Sequence, residues 1–222
     1  MDKKACIFDM DGTLVDSMGY WRNLGREYLR SKGVTGDLEE ILARTDPMTM
    51  EESAELFRET FGLEGTAASI SEEILSVMDY HYRTDVPLKP GVREYLDALK
   101  AAGVKMAVAT ATPEDLARLC LERLGVAEDF VTILSCDAVS AGKDRPDVFL
   151  EAARLMETAP ADTAVFEDAG FAGKTAKEAG FYVVAVYDES NQGHWPELSG
   201  LADEIIVDWA QARPFCMGGK AI

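Results

Sequence analysis

A-C-I-F-D-M-D-G-T, Ala5 to Thr13, joins four consecutive apolar residues to two acids and a glycine. The apolar part is strand-length and does not alternate with polar residues. That pattern suits a strand buried on both faces of a parallel sheet. Three later runs share it: V-K-M-A-V-A (Val104 to Ala109), T-A-V-F (Thr163 to Phe166) and F-Y-V-V-A-V (Phe181 to Val186). Helical stripes separate them. Val92, Tyr95, Leu96 and Leu99 form one; Leu116, Leu119, Cys120 and Leu124 another; Phe149, Ala152, Ala153 and Met156 a third. Strand–helix–strand alternation predicts an α/β fold built on a doubly wound parallel sheet. Ligands in such folds sit at the carboxyl ends of the strands.

The stretch from Ser17 to Thr84 breaks this rhythm. It carries helical stripes and no strand: Trp21, Leu24 and Tyr28; Met50, Ala54 and Phe57; Ile70, Ile74, Val77 and Met78. Gly33, Gly36 and Pro47 punctuate it. V-P-L-K-P-G, Val86 to Gly91, reads as the returning linker. The expected organisation is an α/β core of residues 1–16 and 86–222 with an inserted helical domain at 17–85. An insert leaving the end of the first strand is placed like a lid. The tail G-G-K-A-I is expected to fray.

Composition narrows the function. Among 222 residues, 22 are basic and 40 acidic, a net charge of −18. Such a chain repels nucleic-acid backbones and anionic lipid, so neither is an expected partner. No apolar run approaches the roughly 18 residues needed to cross a bilayer. The apolar run before Asp9 is too short for a secretion signal, so a cytoplasmic location is expected. Cys6, Cys120, Cys136 and Cys216 lack the spacing of a zinc or redox motif and read as buried fillers. His81 reads as packing on a helix face, and His194 sits in the loop-like N-Q-G-H-W-P. Any chemistry therefore rests on carboxylates, lysine and hydroxyls.

Asp9 and Asp11 lie where the first strand ends. Burying two like charges there is costly unless a cation offsets them. Gly12 permits the sharp turn that follows. Glu167 and Asp168, in F-E-D after the third run, fall on the same sheet edge. Four acids converging on one rim suit an oxygen-ligand cation site, with magnesium the expected ion. A-V-A-T-A-T-P ends the second run with the Thr110 hydroxyl and the amides of Ala111 and Thr112. A helix start there can hold phosphate, and Thr112 can equally act as its N-cap. Lys143, in A-G-K-D-R-P-D, is the positive group expected near the acids. At 4 Å and an effective dielectric near 20, one such ion pair gains about 4 kcal/mol before desolvation.

These four signals, in this order, resemble the motifs of the haloacid dehalogenase-like hydrolases. D-M-D-G-T-L-V-D-S at Asp9, T-A-T at Thr110, G-K-x-x-P-D at Lys143 and F-E-D at Asp168 carry the resemblance over nearly the whole chain. The helical insert resembles the small cap of the branch with phosphoglycolate phosphatases and β-phosphoglucomutases. The resemblance implies that Asp9 takes the phosphoryl group as an aspartyl phosphate and that Asp11 is the general acid and base. It implies magnesium on the Asp9 carboxylate, the Asp11 backbone carbonyl and Asp168, with Glu167 acting in an outer layer or through water. Thr110, the Ala111 amide and Lys143 would hold the phosphate of a small phosphorylated metabolite. Two departures stand out. The family's E-D-S-x-x-G becomes E-D-A-G-F-A at Glu167 to Ala172. Trp21 and Met50 occupy the positions where β-phosphoglucomutases carry a cap histidine and an arginine for a second phosphate. Transfer to water is therefore expected over transfer to a sugar phosphate. A sugar phosphomutase is the nearer alternative, and a non-catalytic phosphoacceptor module the more distant one. Arg22, Arg44 and Met48 join Trp21 and Met50 as candidates for substrate choice, by position alone.

Overall fold

The computed structural model describes residues 3–45 and 48–214. Pro47, Cys216 and the G-G-K-A-I tail lie outside the described residues. Six parallel strands form one sheet: β1 (Ala5–Phe8), β2 (Lys105–Thr110), β3 (Thr132–Ser135), β4 (Thr163–Glu167), β5 (Tyr182–Val186) and β6 (Glu204–Ile206). Their spatial order is β3-β2-β1-β4-β5-β6. The chain thus winds outward from β1 in both directions, which is the doubly wound α/β arrangement expected from the sequence. Cys6 pairs in register with Met106 on one side and Ala164 on the other, so β1 is central and all the carboxyl ends share one edge.

Every residue of β1, β4 and β5 is buried, as the unbroken apolar runs require. One sheet face packs Ile7, Ala107, Val165 and Val183 against α7 (Asp147–Leu155) and α8 (Gly170–Glu178) through Phe149, Ala152, Ala172 and Ala176. The alternate residues point the other way. There Phe8 and Phe166 stack with ring centroids 4.4 Å apart, and Tyr95 of α5 (Val92–Ala101) meets Phe166 edge-on. The helix α6 (Glu114–Arg123) corrects one sequence reading. It buries Ala117, Cys120 and Leu121, while Leu116, Leu119 and Leu124 are only half-buried. A small alanine at the centre of the contact lets the helix approach, and the longer leucines spread along its margin.

Two compact units divide the chain: Met1–Ser17 with Val86–Ile222, and Met18–Asp85. The first unit's chain leaves and returns through a paired ribbon. Val15 forms an antiparallel bridge with Leu88, the Asp16 amide donates to the Pro87 carbonyl at 2.9 Å, and the Lys89 amide donates to the Leu14 carbonyl at 2.9 Å. The second unit contains α1 (Met18–Ser31), α2 (Glu39–Ala43), α3 (Met50–Phe61) and α4 (Ala67–Thr84). Its core joins Leu24 and Tyr28 of α1, Phe57 of α3, and Ile70, Ile74 and Met78 of α4. Reciprocal capping boxes, Thr49 with Glu52 and Thr66 with Ser69, start α3 and α4. His81 is more than a packing residue. Its Nδ1 lies 2.9 Å from Asp85 and its Nε2 2.8 Å from Glu27. Burial alone would lower its pKa, but the two carboxylates outweigh burial and raise it.

The last described segment, residues 207–214, turns back against the core after β6 and the α9 helix (Trp195–Leu201). Gly91 makes room for it. A Cβ there would stand 2.4 Å from the Ala210 amide nitrogen, and the glycine φ is +90°. Both the clash with backbone and the left-handed conformation oppose any side chain. Gly91→Ala is expected to cost about 2–3 kcal/mol of stability, read as a lower urea midpoint at unchanged slope.

Candidate active site

The site forms where β1 and β4 end side by side. The Asp9 amide donates to the Phe166 carbonyl at 2.9 Å, which fixes the residue after β1 beside the end of β4. Asp9, Glu167 and Asp168 then offer carboxylate oxygens that all lie within 4.8 Å of one another, and all three residues are buried. Lys143 reaches this group from the turn before α7. Its Nζ donates to Asp9 Oδ1 and, at 2.5 Å, to Glu167 Oε1, with the lysine itself only 8% exposed. A lysine so enclosed is no solvated surface charge.

Three buried carboxylates meet one ammonium, so negative charge is in excess. Burial, aided by Asp9 and Asp168, pushes the Glu167 carboxyl above the ordinary range despite Lys143. Burial and then Asp9 do the same to Asp168. Lys143 is held above the usual lysine value, because its two carboxylate partners outweigh the desolvation that opposes its charge. Clustered hard oxygen donors with surplus charge fit a hard divalent cation.

Asp168 is oriented from both sides. Thr13 Oγ1 donates to its Oδ1 at 3.2 Å, and Asn191 Nδ2 donates to its Oδ2 at 2.6 Å. Thr13 sits in the tight turn that Gly12, at φ +78°, allows after β1. Asn191 ends a 3-10 turn, Glu189–Asn191, that follows β5. The next position after Asp168 is Ala169, which has no side-chain donor to add, so Asn191 supplies the second bond from a distant stretch.

Asp11 stands apart from the three-carboxylate group. Its side chain accepts a 2.6 Å bond from the Ser17 hydroxyl at Oδ1 and a 2.8 Å bond from the Thr112 hydroxyl at Oδ2. Thr112 precedes the N-cap position of α6, which is Pro113 with no side-chain bond. The Thr112 amide donates to Thr110 Oγ1 at 3.0 Å, which ties the two threonines into one bend beyond β2. Thr110 is fully buried at the strand end, and Ala111 is exposed beside it. Thus Asp9, Lys143, Glu167 and Asp168 come together directly, whereas Asp11 belongs to a hydroxyl group with Ser17 and Thr112.

Thr13, Ser17, Thr112 (as an Asp11 partner) and Asn191 are the site residues that sequence reasoning missed. Thr13 and Ser17 lie within the D-M-D-G-T-L-V-D-S stretch with no role read for them, and Thr112 reads as a phosphate-holding amide or a helix cap. In the helical unit, Trp21, Arg22, Met48 and Met50 line one cavity of about 440 Å³, and Arg44 does not.

Comparison with known proteins finds relatives along most of the chain. The validoxylamine A 7'-phosphate phosphatase of Streptomyces hygroscopicus subsp. limoneus is 28% identical over 95% of this chain and 96% of its own. The fructose-1-phosphate phosphatase YqaB of Escherichia coli (strain K12) is 30% identical over 81% of this chain and 94% of its own. A solved Thermotoga maritima structure, provisionally labelled beta-phosphoglucomutase, superposes with a TM-score of 0.82 at 26% identity, covering 94% of this chain and 95% of that one. The haloacid dehalogenase-like hydrolase model matches residues 3–180, a span that runs from β1 through α8 and contains Asp9, Lys143 and Asp168. With most of its length matched and the acids of that motif pattern gathered at one sheet edge, the chain belongs to the haloacid dehalogenase-like hydrolases.

Proposed function

We propose that this hydrolase is a magnesium-dependent phosphatase that releases phosphate from a small phosphorylated metabolite through an aspartyl phosphate on Asp9. The observation that carries the reading is the buried contact of Lys143 with Asp9 inside the three-carboxylate group. A carboxylate nucleophile must approach an anion, so the reacting phosphorus has to be surrounded by compensating charge. Bound magnesium supplies positive charge and polarises the phosphoryl oxygens. Asp9 and Asp168 are the carboxylates proposed to hold it, with the Asp11 backbone carbonyl, while Glu167 keeps Lys143 in place. Lys143, the Thr110 hydroxyl and the Ala111 amide hold the transferring phosphoryl group.

Asp9 attacks phosphorus as the leaving oxygen takes a proton from Asp11. Water then attacks the aspartyl phosphate, and Asp11 accepts its proton. The bonds from Ser17 and Thr112 orient the Asp11 carboxylate for both steps. The helical unit, Met18–Asp85, is proposed to serve as the cap. Among the described residues no helix is long and apolar enough to cross a membrane.

A panel of phosphorylated metabolites, assayed for released phosphate with magnesium and with chelator, tests the proposal. Magnesium-dependent release is expected; absence of turnover across the panel overturns it. Incubation with β-glucose 1-phosphate and a bisphosphate primer separates the mutase alternative. Phosphate is expected to appear faster than glucose 6-phosphate, in keeping with Met50 and Trp21 in place of the mutases' arginine and histidine. Asp11→Asn is expected to slow both phosphoenzyme formation and its hydrolysis by at least about 100-fold. Rapid-quench measurement of each half-reaction checks this; loss in only one of them would remove Asp11 from the other.

A further inference from the structure

Trp209 lies beyond the matched family span, on no strand or helix, yet it is 5% exposed and reaches the floor of the site. Its indole Nε1 donates to the Thr13 carbonyl at 3.1 Å, a buried bond between residues 196 positions apart. Thr13 is the residue whose hydroxyl donates to Asp168. One chain of hydrogen bonds therefore runs from the indole through Thr13 to Asp168. The ring itself is fixed. It stacks on Phe166 at 5.8 Å and 21°, and meets Tyr95 edge-on at 4.9 Å. Asp208 braces the turn that presents it, accepting from the Ala210 amide at 2.9 Å and from the Gln211 side chain at 2.8 Å.

Anchoring the Thr13 carbonyl restrains its backbone and so the position of the Cα–Cβ bond from which the hydroxyl reaches Asp168. We propose that Trp209 is a positioning residue for the metal-binding carboxylate Asp168, acting through Thr13. This rests on the phosphatase reading, since it assigns Asp168 to magnesium. Any buried indole N–H needs an acceptor; here that acceptor is the residue whose hydroxyl bonds Asp168. Thr13 is fully buried, so a carbonyl left without the indole would have no water to replace it.

Trp209→Phe keeps an aromatic ring on Phe166 and removes the donor. Isothermal titration with magnesium alone, no substrate present, is expected to show affinity about 3- to 10-fold weaker than wild type. Substrate KM at saturating magnesium should change less than about twofold, because no substrate-holding group is touched. Thr13→Val should reproduce the magnesium loss and Thr13→Ser should restore most of it. The Trp209→Phe/Thr13→Val double variant should be no worse than Thr13→Val alone. Magnesium affinity unchanged in Trp209→Phe, or losses that add in the double variant, would overturn the role. If Trp209→Phe folds poorly, the Thr13 pair still decides: equal affinity in Thr13→Val and wild type would break the chain at its second link. Wild-type protein that binds no magnesium would overturn the metal assignment itself and this role with it. Wild-type binding with unaffected variants overturns this role alone.

Discussion

Asp9→Asn is expected to abolish turnover, with a loss of at least about 10⁴-fold, and to leave the fold intact. The two halves of that expectation have different causes. Activity falls because an amide oxygen is a poor nucleophile toward phosphorus and forms no stable acyl phosphate. Stability survives because the change removes one of three crowded negative charges while Lys143 keeps its bond to Glu167. Circular dichroism and thermal melting of the metal-free protein should match or exceed wild type. Trapping of labelled phosphoenzyme should succeed with wild type and fail with Asp9→Asn. Asp9→Ala guards against slow deamidation regenerating aspartate. Turnover near wild type in either variant would place the nucleophile elsewhere.

Lys143→Met is expected to damage stability and activity together, unlike Asp9→Asn. The lysine is the cation that holds Asp9 and Glu167 in a buried position. Removing one member of such a group strands its partners, at a cost of about 3 kcal/mol or more in metal-free protein. Turnover should fall about 10³-fold even at saturating magnesium, because the proposed mechanism has Lys143 hold the transferring phosphoryl group. Lys143→Arg should not rescue it, since a planar guanidinium does not fit a site shaped around an ammonium. Urea titration in chelator and phosphate release in magnesium read the two effects. A variant as stable as wild type would show that the acids do not depend on Lys143.

The sheet was legible in the sequence where strands are buried on both faces. The apolar runs at β1, β2, β4 and β5 coincide with strands to within a residue at most ends. β3 and β6 escaped notice for physical reasons. T-I-L-S is only four residues long and carries polar ends, and E-I-I lies at the sheet margin with Ile205 exposed. Neither presents an unbroken apolar run. The acids were legible because charged residues at strand ends are chemically conspicuous, and Lys143 because it is a lysine beside a glycine in the turn before a helix. Thr13, Ser17, Thr112 and Asn191 were not, because hydroxyls and amides next to turns are ordinarily explained by local bonding. Their partners lie as far as 155 positions away, and only folding reveals them. Trp209 gave no pattern at all, being a single aromatic in V-D-W-A-Q-A-R.

The ribbon formed by Val15 with Leu88, and by Asp16 with Pro87, holds together the two points where the chain leaves for the helical unit and returns. Because its two stems are already zipped, excising residues 18–85 would remove no sheet strand and require only a short hairpin to close the gap. On the proposed reading of residues 18–85 as the cap, exchanging that segment at this neck would change substrate choice and leave Asp9, Lys143 and Asp168 in their own unit.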